Sequence, residues 1–336
     1  MIVVDDLESL SNSPPHVVAA LGTFDGVHLG HQEILKRVLG RARQIRGTAT
    51  VFTFTSHPWK TVDPERAPKL ITPLELKLEI MRAWGIQLLV TAEFNQALAE
   101  TPARDFVKGI LVDKLRVKDL FVGFDFAFGR GREGNSELLR EMGQDHRFRV
   151  EVLPPVVLDG RVVSSTLIRG LLEEGQVYQA ARLLGRPYLI RGKVLRGSGR
   201  GRALGFPTAN LEPPEDLLIP NGVYAGWAYW LGRVYPGMIN VGCRPTFAEG
   251  QRVVEAHLFS LSEEHYGEEL VLAFWRWLRE ERRFRSSEEL AAQLVHDKAE
   301  VEEILADEGE PYKNWALQPW VPMINKDCYR TSFSRS

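Results

Sequence analysis

Cysteine is nearly missing from this chain: among 336 residues it occurs twice, at Cys243 and Cys328, without C-x-x-C spacing. A disulfide framework or a cysteine-built zinc site needs more thiols at closer intervals, so neither is expected. Long apolar runs are missing too, and no stretch approaches the roughly 20 residues of a membrane-spanning helix. The opening M-I-V-V-D-D-L carries neither the basic segment nor the apolar run of a signal peptide. Charge of one sign is also lacking. The 42 basic and 44 acidic residues leave a formal net charge of −2, and no basic block stands out as a footprint for nucleic acid. What remains is an ordinary globular composition, 44% apolar and 26% charged, with length for about two domains. A cytoplasmic protein with no membrane or nucleic-acid partner is the expectation.

The most informative stretch is L-G-T-F-D-G-V-H-L-G-H-Q, residues 21–32. Residues 17–21 form an apolar strand, and from about Leu29 the pattern Leu29, Ile34, Leu35, Val38, Leu39 reads as a helix. Gly22 and Gly26 let the backbone turn and approach a ligand closely. His28 and His31 then stand at a helix N-terminus, where anions are favoured, and at i and i+3 they share one face, so both reach the same phosphate. Gly30 between them keeps a side chain out of that phosphate's way. The same spacing also describes one capping and one surface histidine.

Residues 17–157 alternate strand-like and helix-like segments, which predicts a layered α/β domain with a mostly parallel sheet. Strands are expected at 48–54, 88–91 and 119–123, with a helix over 103–115. Another helix is expected to be opened by Thr72 and Pro73 and closed by Gly85. T-S-H-P follows the strand at 48–54, so His57 and Pro58 fall at a strand's carboxyl end, where open α/β sheets bind ligands. After the strand at 119–123 comes G-F-D-F-A-F-G-R-G. If extended, it puts Phe124, Phe126 and Phe128 on one side and Asp125 and Ala127 on the other, serving either as core or as a wall for a flat ring. In V-S-S-T-L-I-R, Ser164 can cap a short helix, Ser165 and Thr166 offer hydroxyls, and Arg169 adds a fixed positive charge. A capping box explains those serines equally well.

A helix pattern over 175–185 ends at G-R-P-Y, and beyond it the period changes. Residues 189–195 alternate as a strand. Residues 197–211, G-S-G-R-G-R-A-L-G-F-P-T-A-N-L, then form a glycine loop able to wrap a polyphosphate, with Arg200 and Arg202 adding charge. No G-K-[ST] follows and the next element looks extended, so this is not a Walker loop. Short strands at 222–230, 233–241, 253–260 and 269–277 predict a small antiparallel barrel. Ser286 and Glu289 open a last helix as a capping box, with Leu290, Leu294, Val301 and Leu305 facing the barrel. The tail from Gly309 shows no period, and its last ten or so residues read as a disordered or packing arm.

H-L-G-H after a strand resembles the H-x-G-H signature of the nucleotidyltransferase superfamily. V-S-S-T-L-I-R resembles that superfamily's I-S-S-T-x-x-R, with Val163 for isoleucine. The full string from Gly22 is similar to the adenylyltransferase half of the bacterial bifunctional riboflavin kinase/FAD synthetases. L-G-F-P-T-A-N-L, I-P-N-G-V-Y-A-G, I-N-V-G-C-R-P-T-F, V-E-A-H-L-F and H-Y-G resemble riboflavin kinase along nearly all of the second half.

The resemblance implies a Rossmann-like nucleotidyltransferase domain at 1–185, a small antiparallel β-barrel riboflavin kinase domain with a C-terminal helix at 186–308, and a tail of unknown role at 309–336. It implies riboflavin, FMN, FAD and ATP as ligands, Mg²⁺ as cofactor, and two reactions, riboflavin to FMN and FMN to FAD. His28, His31 and Arg169 would be catalytic in adenylyl transfer, and Glu255 the general base of the kinase. Gly22, Phe24, Gly30, Ser164 and Thr166 would bind ATP in the first site, and Gly197, Gly199 and Arg202 in the second. His57, Pro58, Asp125, Phe126 and Phe128 would contact flavin, while Thr208 and Asn210 would hold Mg²⁺. The chain departs from the family at Thr55 and Ser56, where members commonly read D-P-H-P or E-P-H-P. One active module beside a regulatory one, and a flavin-binding protein without turnover, are the competing readings.

Overall fold

Val17–Leu21, V-V-A-A-L, is buried at every position, which a strand can be only when both its faces are covered. In the computed structural model, which describes residues 1–7, 10, 14–197, 199–230, 232–243, 252–259, 261 and 266–307, this strand lies inside a six-stranded sheet. The strands are β1 (Ile2–Val4), β2 (Val17–Leu21), β3 (Thr48–Phe54), β4 (Leu88–Ala92), β5 (Val117–Gly123) and β6 (Arg149–Leu153), in spatial order β1-β4-β3-β2-β5-β6. Every pairing in it is parallel. The helices of this part are α1 (Leu29–Ile45), α2 (Trp59–Val62), α3 (Leu74–Trp84), α4 (Gln96–Ala99), α5 (Ala103–Phe106) and α6 (Ser136–His146). The chain divides into two compact units, Met1–Ser165 and Thr166–Ser336.

The layered reading of the first unit holds, with differences of detail. β1 carries no sequence signal as short as it is, yet it pairs with β4 at the sheet edge. The segment expected as one helix over 103–115 is α5 followed by a π-helical stretch, Val107–Lys114, closed by a bond from Leu115 N to Ile110 O at 2.9 Å. This wider winding keeps Val107, Ile110 and Leu111 buried together. Thr72 and Pro73 do not open α3 as expected: the helix starts at Leu74 with Pro73 in the capping position, and the Thr72 N–H donates to the Asp25 carboxylate at 3.1 Å. Gly85 does close it, at φ 88°, in the left-handed region that suits glycine.

Helix α7 (Ser165–Glu173) crosses the boundary between the units, and α8 (Val177–Leu184) follows. The antiparallel hairpin of β7 (Val157–Leu158) and β8 (Arg161–Val162) precedes them. In the second unit β9 (Tyr188–Leu195), β10 (Ala209–Leu211), β11 (Gly222–Trp230), β12 (Arg233–Cys243), β13 (Arg252–Leu258) and β14 (Glu269–Arg279) close a barrel in the order β10-β13-β12-β11-β14-β9. A single turn, α9 (Arg200–Ala203), sits within the glycine loop, and the extended element expected after it is β10. Closure removes the free sheet edges, and Tyr224, Phe274 and Trp230 fill the interior. Helix α8 packs on β14, with Tyr178 edge-on to Trp275 at 5.1 Å and the Arg276 guanidinium 3.3 Å over the Tyr178 ring.

The last helix, α10 (Ser287–Asp307), is fixed to β14 by a buried pair. Arg279 donates to both carboxylate oxygens of Asp297, at 2.6 and 3.1 Å. Half of the expected capping box forms as read, with Glu289 N donating to Ser286 Oγ at 3.3 Å, while the Glu289 carboxylate accepts from Arg285 N at 2.9 Å, one residue before the cap. Val301 and Leu305 are buried and Leu290 and Leu294 half-buried. The tail at 309–336, residues 244–247, Ser260 and His265, and the Arg200 side chain lie outside the described residues.

Candidate active sites

In the first unit the strand order reverses beside β2: β3 and β4 are laid down on one side of it, β5 and β6 on the other. Chains leaving β2 and β5 therefore part company and leave a crevice at the carboxyl ends, the usual ligand position in such sheets. Three neighbouring strands deliver their motifs to this end. β3 runs into His57 and Pro58, β2 into the histidine turn, and β5 into Gly123 to Phe128.

The histidine turn is the most constrained of the three. His28 is the N-cap of α1, and its Nδ1 accepts from His31 N at 3.4 Å. The two imidazoles stack, with centroids 3.7 Å apart and planes at 18°, and Phe24 packs on His31 at 5.0 Å. A Cβ on Gly30 would stand 3.1 Å from His28 Cε1, and one on Gly22 3.2 Å from the Phe24 ring. The neighbour that a side chain at Gly30 would crowd is thus the His28 ring itself, a packing reason beyond the phosphate clearance read from sequence. The serine motif reaches this turn as well: Ser165 Oγ donates to the Asp25 carbonyl at 2.9 Å, and the Val163 carbonyl is the next group beyond His28 that a Gly30 side chain would meet. Ser164 directly precedes α7, Thr166 lies exposed in its first turn, and Arg169 is half-buried one turn on.

Asp25 and Lys77 were not legible as site residues. The Asp25 carboxylate accepts from Ile71 N at 3.0 Å and Thr72 N at 3.1 Å. Lys77 Nζ donates to the carbonyls of Thr23 at 3.1 Å and Phe54 at 3.2 Å, and lies 3.4 Å from Thr53 Oγ1. Burial pulls the Lys77 pKa down to about 8, and the nearby Asp25 carboxylate only partly restores it.

Downstream of β5 the chain does not stay extended. Phe126 N bonds to Gly123 O in a turn, so Phe124, 52% exposed, leaves the face expected for all three phenylalanines. Phe126 and Phe128 still stack, at 5.5 Å, but Phe128 is 8% exposed and packs into the core against Phe106. Asp125 is exposed. His57 Nδ1 accepts from Trp59 N at 3.3 Å, where the chain enters α2.

In the second unit, strand register assembles the site. Asn210 faces Glu255, Glu255 faces Asn240, Asn240 faces Val223, and Val223 faces Arg279, across β10, β13, β12, β11 and β14 in turn. Side chains directly opposite on neighbouring strands emerge on the same face. All five line one cleft of about 460 Å³, together with Thr208, Gly199 and Gly201 of the glycine loop and Leu290 and Leu294 of α10. Val254 and Ala256, flanking Glu255, are fully buried on the other face. Asn240 belongs to I-N-V-G-C-R-P-T-F, which by itself marks no role for it; the register places it opposite Glu255.

The loop is held against this row from two directions. His257 Nδ1 lies 2.8 Å from the Pro207 carbonyl. A carbonyl only accepts, so that nitrogen carries the proton, and burial keeps the ring's pKa below the ordinary histidine value. Asn210 is 6% exposed, its amide donates to the Thr208 carbonyl at 3.4 Å, and Gly197 lies so close that a Cβ there would come within 2.2 Å of Nδ2. Gly199, at φ 73°, caps α9, and Arg202 is exposed. A hydroxyl and an amide beside one carboxylate are hard oxygen donors of the kind Mg²⁺ accepts when substrate phosphates and water complete its shell. Among the described residues no cluster of three or more His, Cys, Asp or Glu could hold a metal alone.

A parallel α/β unit with a histidine-capped helix, followed by a barrel with a carboxylate cleft, defines a two-module enzyme of phosphate-group transfer. The FAD synthetase family model matches residues 10–167 and the riboflavin kinase model residues 184–305. The bifunctional riboflavin kinase/FMN adenylyltransferase of Escherichia coli K12 is 34% identical over 299 residues, covering 88% of this chain and 96% of that protein. Its Bacillus subtilis counterpart is 37% identical over 292 residues, covering 84% and 90%. A crystal structure from Streptococcus pneumoniae described as a macrolide-efflux protein superposes with a TM-score of 0.80 at 28% identity, over 90% of this chain and 98% of that one. Among the described residues no helix is long and apolar enough to cross a membrane. The chain belongs to the bifunctional riboflavin kinase/FMN adenylyltransferase family.

Proposed function

We propose that this chain makes FAD from riboflavin in two ATP-dependent steps at two separate sites. In the barrel, Glu255 takes the proton of the riboflavin 5′-hydroxyl, the oxygen attacks the γ-phosphorus of ATP, and ADP leaves with FMN as product. In the α/β unit, an FMN phosphate oxygen attacks the α-phosphorus of a second ATP and pyrophosphate departs. That step needs alignment and charge stabilisation, with no covalent nucleophile. His28 and His31 donate to the α- and β-phosphates, while Arg169, Ser164 and Thr166 hold the leaving phosphates. Gly22, Phe24 and Gly30 shape the approach to ATP. His57, Pro58, Asp125 and Phe126 face flavin, with Phe128 supporting Phe126 from the core.

Thr208 and Asn210 would hold Mg²⁺, which when bound neutralises phosphate charge; Gly197, Gly199 and Arg202 wrap the ATP phosphates. We place the module boundary at 185/186, next to the start of the span matched to riboflavin kinase, and the activity in the cytoplasm. The observation that carries the reading is the row Asn210–Glu255–Asn240 in one cleft, in a chain whose other unit stacks two imidazoles at a helix N-terminus. The test is chromatography of products from riboflavin and ATP. His31→Ala is expected to stop at FMN. Glu255→Gln is expected to form almost no FMN from riboflavin yet to convert supplied FMN to FAD. Equal loss of riboflavin phosphorylation and of FAD formation from supplied FMN in either variant would contradict two independent sites.

A further inference from the structure

Two residues of the histidine turn hold backbone conformations that their side chains disfavour. Phe24 sits at φ 49° and Val27 at φ 38°, on either side of Gly26 at 82°. A bulky and a β-branched residue in the left-handed region are both costly, and such strain persists only where the surroundings over-determine it. Val27 directly precedes His28, so whatever holds this turn also aims the imidazole pair.

The supports can be named. The Thr23 carbonyl, immediately before the strained stretch, accepts from Lys77 Nζ at 3.1 Å and from Thr53 Oγ1 at 3.0 Å. The ammonium also bonds the Phe54 carbonyl at 3.2 Å. One side chain from α3 thereby ties the end of β3 to the turn after β2. From the far side, Gln32 Nε2 donates to the Val27 carbonyl at 2.9 Å. Lys77 is 5% exposed, an unusual position for an ammonium unless bonded acceptors surround it.

We infer that Lys77 is a positioning residue for adenylyl transfer: its ammonium fixes the Thr23 carbonyl, and with it the strained turn that presents His28 and His31 to the ATP phosphates. The inference rests on the assignment of adenylyl transfer to the first unit. Lys77 touches neither substrate nor reacting atoms in this account. Its effect is on the alignment of the histidines, so it is expected in turnover and not in ground-state binding.

The test uses the full chain with Lys77→Met, which keeps an unbranched stem as far as Cε and removes the donors at its end, and Thr53→Val, which removes one hydroxyl at constant shape. FAD formation from FMN and ATP, FMN formation from riboflavin and ATP, and the thermal unfolding midpoint are measured for each, with His31→Ala alongside. Lys77→Met is expected to lower kcat for FAD formation by about tenfold to a hundredfold while leaving both KM values, riboflavin phosphorylation and, at pH 7, the unfolding midpoint near those of the parent. Thr53→Val is expected to move kcat the same way by less. Parent-like kcat in Lys77→Met overturns the inference, as does a kcat loss accompanied by a lowered midpoint and raised KM, the pattern of a merely structural role. Should Lys77→Met fail to fold, a parent-like kcat in Thr53→Val overturns it and a reduced kcat at unchanged KM supports it. If His31→Ala still makes FAD at the parent rate, the assignment of the site itself falls, and Lys77 falls with it.

Discussion

Gly197→Ala is expected to disable the kinase while sparing the adenylyltransferase. Gly197 lies outside the left-handed region, so its backbone accepts alanine without strain; the difficulty is space. The new Cβ would stand 2.2 Å from Nδ2, 2.7 Å from Cγ and 2.9 Å from Oδ1 of Asn210, where ordinary contact begins near 3.4 Å. Asn210 or the loop must therefore shift by about 1 Å, and Asn210, 6% exposed and bonded to Thr208, has little room to do so. A misplacement of about 1 Å at a reacting centre costs roughly a hundredfold in rate, or about 2.7 kcal/mol of barrier. The comparison with Gly242 sharpens the point. A Cβ there would also meet a side-chain atom at 2.2 Å, Oε1 of Glu281, but that carboxylate is exposed and can swing away. Gly242→Ala should thus cost far less. Steady-state riboflavin phosphorylation in both variants, with FAD formation from FMN as the control for folding, makes the measurement. If Gly197→Ala keeps kcat and the KM for ATP within about twofold of the parent, Asn210 is not placed where the reaction needs it and the reasoning fails.

Two further outcomes are expected. Asp297→Ala should lower stability by about 3 kcal/mol, at the lower end for a broken buried pair because the Arg279 side chain keeps 21% exposure and can reach water; denaturant unfolding reads this, and a loss below about 1 kcal/mol would reduce the pair to a surface contact. Burial pulls the Lys77 pKa down from 10.5 to about 8, so between those values the unfolded chain binds the proton that the folded chain has released, and stability due to this group rises with pH across that window. The difference in unfolding free energy between parent and Lys77→Met should therefore shift by about 3 kcal/mol in the parent's favour from pH 8 to 10.5, and a flat difference would show that burial does not hold the Lys77 pKa down.

Much of the site was readable because the informative signals are local. A strand of five apolar residues, two glycines and the onset of a helical pattern place His28 and His31 without any knowledge of the rest of the fold, and the structure has them stacked at the N-terminus of α1. Boundaries followed from the same local rules, as with Gly85 at the end of α3. The failures share a different cause. Phe124 was assigned to a face on the assumption that β5 continues, whereas a single bond from Phe126 N to Gly123 O turns the chain after Gly123. The π-helical winding at Val107–Lys114 answers to what the core behind it must bury, and no propensity of its own residues announces it.

Long-range pairing hid the remaining site residues. Lys77 stands in L-E-L-K-L-E, where a lysine between leucines on a helix reads as solvated; it is buried because α3 places it beside the ends of β2 and β3, where backbone carbonyls of Thr23 and Phe54 are available. Asn240 and Arg279 become neighbours of Glu255's row only when β12 and β11 take their registers, since a slip of one residue would turn each side chain to the other face of the barrel. Motifs thus disclosed the groups expected to meet substrate, while those that hold them in place depend on partners far away in sequence. This division follows from physics: a phosphate can be met by groups from one turn of backbone, but aligning those groups to within about an ångström takes contacts from several elements at once.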